Sequence, residues 1–123
     1  MGFLKRLFGG TPTPGRPIAI DDETFEQAVL HSALPAVVDF WSPTCAPCQV
    51  MSGLLNELGQ EYADRLQIFK INVEESPNTS EQYRIRGVPT LVFLRHGREI
   101  DRAVGLLPLN PLRAKLEQLV RSN

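Results

Sequence analysis

The stretch Val37-Val38-Asp39-Phe40-Trp41-Ser42-Pro43-Thr44-Cys45-Ala46-Pro47-Cys48 decides how this chain folds. An apolar run, interrupted once by an acid, ends in a short polar loop, and two cysteines three positions apart then open a helical pattern. An apolar run without polar alternation marks a strand buried on both faces, the central strand of a sheet with helices on either side. Cysteines that close together constrain the unfolded chain little, so the pair reads as chemistry and not as a staple. A disulfide framework for a small secreted domain would need more cysteines at wider spacing.

The 123 residues give one domain with a sizeable core of its own. A net charge of −1 argues against nucleic-acid binding through phosphate contacts. No apolar run approaches the length of a membrane span. Residues 1–16 stand apart from the domain at 17–123. Phe3, Leu4, Leu7 and Phe8 share a helical face with Lys5 and Arg6 opposite, and a Gly/Thr/Pro linker follows. This lacks the apolar core and cleavage site of a secretory signal, and Arg6 breaks a myristoylation pattern. It reads as a flexible leader. The sharper alternative is a short amphipathic foot on an anionic membrane or partner groove, although eight residues are few for anchoring.

Outward from the opening stretch the elements alternate. Pro17–Ile20 is an edge strand, followed by a helix capped by Asp22 with Phe25, Ala28 and Val29 inward. Strand 35–41 leads into a long helix over 46–63, with Met51, Leu54, Leu55, Leu58 and Tyr62 as its core stripe and Gly53 inside it. A buried strand over 66–73 carries Lys70, and a short helix spans 78–84. Strands 88–94 and 98–104 form a hairpin through His96-Gly97. A last helix starts with Asn110 as cap and Pro111 as first residue, burying Leu112, Leu116, Leu119 and Val120. The fold class is α/β, with a mixed central sheet flanked by helices.

Cys45 at a helix start meets free N–H groups and the positive end of the helix dipole, which favour a thiolate. Bringing a thiol pKa from about 8.5 into the neutral range requires roughly 2 kcal/mol. A helix end supplies about 0.3–1 kcal/mol, so a hydrogen bond from the Cys48 thiol is the natural remainder. Cys45 is then the nucleophile, and Cys48, one turn in, resolves the mixed disulfide. Pro47 stiffens the turn between them. Asp39 is costly to bury charged, so its pKa should rise and fit it to take the proton Cys48 loses. Lys70 is its candidate ion-pair partner. A zinc site is the competing reading, but His31 and His96 stand at no ligand spacing from the cysteines.

These residues resemble the thioredoxin family through Val38-Asp39-Phe40-Trp41, Cys45-Ala46-Pro47-Cys48, Lys70-Ile71-Asn72-Val73, Arg86-Gly87-Val88-Pro89-Thr90, Gly97 and Gly105. The resemblance implies a thioredoxin fold, a cis Pro89 packed against the cysteines, and a buried Asp39–Lys70 pair serving Cys48. It implies a substrate surface from Trp41, Thr44, Ala46, Pro47, Val88, Pro89, Thr90, Gly105 and Leu106. It also implies a redox-active Cys45–Cys48 disulfide and no bound cofactor or metal. Partners would be disulfide-containing protein substrates and a thioredoxin-reductase-like flavoprotein drawing on NADPH. Three positions depart from the family pattern: Thr44 replaces a tryptophan, Ala46 a glycine and Gly53 a proline.

The expected function is thiol-disulfide exchange by a monomeric, cytoplasmic protein-disulfide reductase. A disulfide oxidase or isomerase is one alternative, favoured by an oxidising compartment. A binding or holdase module with incidental thiols is another, and a partner that binds as tightly without either cysteine would favour it.

Overall fold

The computed structural model describes residues 15–121. The leader expected over 1–16 therefore lies almost wholly outside the described residues. Five strands, β1 (Ile18–Ile20), β2 (Ala36–Trp41), β3 (Gln67–Asn72), β4 (Thr90–Arg95) and β5 (Arg98–Val104), form one sheet in the order β1-β3-β2-β4-β5. β3 runs parallel to both β1 and β2, whereas β4 is antiparallel to β2 and to β5. The apolar run, with Asp39 as its one acid, thus occupies the middle of the sheet, as its lack of alternation requires. The hairpin at His96-Gly97 has positive φ at both residues, 53° and 76°, which is the turn that matches strand twist.

Helices α1 (Ala46–Glu61), α2 (Pro77–Gln82) and α3 (Leu109–Arg121) and one π-helical turn (Glu26–Leu30) cover the sheet. Val37, Ile68, Leu91 and Phe93 pack with Met51, Leu55 and Leu58 of α1 and Leu112 and Leu116 of α3. On the other face Val38, Phe40, Ile71 and Val92 pack with Phe25 and Val29. Side chains alternate along a strand, so Asp39 and Trp41 share Val37's face and Lys70 shares that of Ile68. That is the face beneath α1.

Four local expectations need correction. Asp22 does not cap its own helix. That element has no side-chain cap; Asp21 instead closes the turn before it, its carboxylate accepting the N–H groups of Glu23 and Thr24, both at 3.0 Å. Asp22 instead accepts from Asn78 and Thr79, 3.0 and 2.8 Å away, and so caps α2 from across the fold. The helix expected after it narrows to the π-helical turn, because its apolar pattern is too short to sustain more. The last helix begins at Leu109, one residue before Asn110, with Leu112 N–H bonding Pro108 C=O at 3.0 Å. Pro111 therefore sits inside the first turn, where it has no N–H to lose. α1 ends at Glu61 with Tyr62 as its C-cap, two residues earlier than the periodicity suggests, and it runs unbroken through Gly53.

Leu58 is wholly buried between α1 and the sheet. Leu58→Ala is expected to cost about 2–5 kcal/mol, seen as a lower urea midpoint with unchanged slope. A cost below about 1 kcal/mol would contradict this packing.

Candidate active site

β2 carries the chain to Trp41, and Ser42–Thr44 turn it into α1. Cys45 is the N-cap, extended at φ −108° and ψ 106°. A capping side chain accepts from the second or third helical N–H. Pro47 occupies the second position and has none, so Cys48 is the donor left: its N–H reaches Cys45 Sγ at 3.1 Å. The proline thereby directs the one local donor onto the sulfur. Cys45 and Cys48 form a disulfide, so the structure shows the oxidised site. Cys45 is half-buried, whereas Cys48 is only 2% exposed.

Under the first turns of α1 lies a cavity of about 180 Å³ lined by Asp39, Trp41, Cys48, Gln49, Ser52 and Lys70. Asp39 Oδ1 and Trp41 Nε1 are both buried without a hydrogen-bond partner. Burial pushes the Asp39 carboxyl up to about 7, against the opposing pull of the Lys70 charge. Asp39 and Lys70 stand opposite one another in the register of β2 and β3. The direct Asp39–Lys70 pair implied by the resemblance is not formed. The ion pairs of the described residues are Glu99–Arg102, Glu61–Arg113, Asp101–Lys115 and Glu117–Arg121. Lys70 acts on Asp39 through its field, across the cavity. This explains why the carboxyl stays high: contact with an ammonium would have drawn it down.

The antiparallel pairing of β2 and β4 puts Thr90 opposite Phe40, so Val88-Pro89 lies at the same end of the sheet as the cysteine loop. The Val88–Pro89 peptide is cis. Pro89 C=O accepts the Gly105 N–H at 2.8 Å, tying the bend after β5 to this turn. Gly105, at φ +90°, adopts a backbone that side chains disfavour.

The expected substrate surface divides by exposure. Thr44, Ala46 and Pro47 are exposed, Leu106 is 44% exposed, and Trp41, Val88 and Gly105 are half-buried. Pro89 is buried. Thr90 is buried too, and its hydroxyl donates to Gly87 C=O at 2.7 Å. Its side chain is engaged in shaping the turn. His31 and His96 are exposed. Among the described residues no cluster of three or more metal-ligating side chains exists.

Gln49 and Ser52 escaped the reading of the sequence, although Ser52 carries a signal. It lies four residues after Cys48, directly one helical turn along the same face.

Comparison with known proteins fits this geometry. The family model described as Thioredoxin matches residues 16–118. The chain is 39% identical to thioredoxin 1 of Synechococcus elongatus over 100 residues, covering 81% of this chain and 94% of that one. It is 44% identical to a thioredoxin of Acidithiobacillus ferridurans over 98 residues, covering 80% and 91%. Over 101 residues it is 37% identical to the chloroplastic M-type thioredoxin of Pisum sativum, covering 82% of this chain and 59% of that one.

Proposed function

The chain belongs to the thioredoxin family and is a protein-disulfide reductase working by thiol-disulfide exchange, and within that activity we propose that Cys45 attacks and Cys48 resolves. The observation that carries the assignment is the contrast in exposure, Cys45 reachable at the helix cap and Cys48 buried beside Asp39. In the reduced protein the Cys45 thiolate attacks one sulfur of a substrate disulfide. A mixed disulfide forms, and the first substrate thiolate leaves and takes a proton from solvent. Cys48 then gives its proton to Asp39 and attacks Cys45 Sγ. The second substrate thiolate departs, and the Cys45–Cys48 bond holds the two electron vacancies transferred from the substrate. A base titrating near neutrality suits that step, because it is substantially ionised at working pH yet holds the proton once taken.

The family acts on disulfide substrates and is regenerated by a thioredoxin reductase. Here the reductase is proposed to be a flavoprotein fed by NADPH. The docking surface is proposed to comprise Trp41, Thr44, Ala46, Pro47, Val88, Pro89, Thr90, Gly105 and Leu106. Thr44 puts a hydroxyl on that surface in place of apolar area, which favours partners with a polar group beside the disulfide. Residues 17–123 are proposed as the catalytic unit, monomeric, and residues 1–16 as a leader with no part in the exchange. No described helix is long and apolar enough to cross a membrane. A cytoplasmic site of action is proposed, because a dithiol reductase needs a reducing pool to draw on.

The Cys48→Ser protein tests the two roles together. It is expected to complete the first step only and to accumulate mixed disulfides through Cys45 when exposed to cell extract, recoverable with dithiothreitol and identifiable by mass spectrometry. Adducts mapped to another position, or none at all, would reverse the assignment.

A further inference from the structure

Two buried polar atoms without partners, Asp39 Oδ1 and Trp41 Nε1, belong to residues lining the same cavity as Cys48. At about 180 Å³ that cavity has room for several water molecules, each taking about 30 Å³. Its wall from α1 is supplied by Cys48, Gln49 and Ser52. Ser52 is half-buried and its hydroxyl makes no hydrogen bond among the described residues. Ser80 in α2 behaves in the ordinary helical way, donating to Ser76 C=O at 2.8 Å. The Ser52 hydroxyl is thus uncommitted, and it lines a space shared by the Asp39 carboxyl and Cys48, which carries a thiol once reduced.

We propose that Ser52 is a positioning residue for the resolving step, its hydroxyl holding the path by which the Cys48 proton reaches Asp39. The proposal rests on the roles of Cys45 and Cys48 given above. A hydroxyl suits the task because it accepts from the thiol while donating onward, directly or through a cavity water, so no net charge rests on it. When Cys48 Sγ bonds to Cys45 Sγ, the Cys45–substrate bond breaks and the Cys48 proton arrives on the Asp39 carboxylate. The charged groups facing this path are Asp39 from β2 and Lys70 from β3. β4 offers the apolar Leu91 opposite Asp39, and beside Cys48 itself α1 offers the neutral Gln49 and Ser52.

Stopped-flow reduction of an aromatic chromogenic disulfide, dithiobis-nitrobenzoate, separates the two steps. The first chromophore leaves on Cys45 attack, in a phase that scales with reagent concentration. The second leaves on Cys48 attack, in a phase that does not. Ser52→Ala suits the helix at least as well as serine, so the variant should fold. It is expected to leave the first phase unchanged and slow the second about tenfold at neutral pH, a share of the usual general-base contribution. Ser52→Thr should restore most of that rate, and Ser52→Ala should have no further effect in an Asp39→Asn background. A second phase at wild-type rate, or equal slowing with and without Asp39, would overturn the proposal. A wild type with no first phase would remove the Cys45 assignment, and this inference with it.

Discussion

Cys45→Ser protein should reduce insulin disulfides no faster than dithiothreitol alone, while remaining as well folded as the wild type. The loss is total because the whole cycle runs through one sulfur. A serine hydroxyl is a far weaker nucleophile toward sulfur and forms no exchangeable bond with it. What the site otherwise contributes is preparation for that atom. The cap position puts the sulfur at the positive helix end, and the Cys48 N–H at 3.1 Å is aimed at it. None of this transfers usefully to oxygen. Cys45 is half-buried at a helix cap and not in the core, so the substitution also retains a good capping residue. Turbidity from precipitating insulin B chain gives the activity and thermal unfolding gives the fold. Residual catalysis above background with the fold intact would mean that another group performs the first exchange.

The central strand and the cysteine helix were readable because each rests on a local rule. An apolar run with a single acid dictates two-sided burial, and the helical spacing of Met51, Leu54, Leu55 and Leu58 dictates a helix after the cysteines. His96-Gly97 was readable for the same reason, since two residues at positive φ suit that turn. Asp22 was misread because its partners, Asn78 and Thr79, lie over fifty positions away and no local pattern points to them. Asp39 was legible as a buried acid, because apolar neighbours on both sides imply burial. Its relation to Lys70 was only half legible. Register across two strands brings them opposite one another, but whether they touch depends on how α1 lies over the sheet. The resulting cavity, with Gln49 and Ser52 in its wall, is a property of packing between elements.

Asp39→Asn should make the oxidised protein more stable by about 3–4 kcal/mol at pH 8 and leave it nearly unchanged at pH 4. Below pH 3.8, the ordinary value for the carboxyl, both folded and unfolded chains carry the proton, so the group contributes nothing. Between 3.8 and about 7 the unfolded chain releases it while the folded chain keeps it. The native state then binds more protons, and stability falls as pH rises. Above about 7 the full difference of roughly three units stands against folding, at about 1.36 kcal/mol each. The neutral amide removes that penalty while keeping the shape of the protonated acid. Urea unfolding at the two pH values reads the gain, which corresponds to a rise in Tm of roughly 10–15 °C at the higher one. An equal gain at both would assign it to packing of the amide and not to ionisation. The same variant should slow the resolving phase, since the proton from Cys48 loses its acceptor. Stability and turnover would then move in opposite directions at one residue, as expected where a buried charge is tolerated for the chemistry it performs.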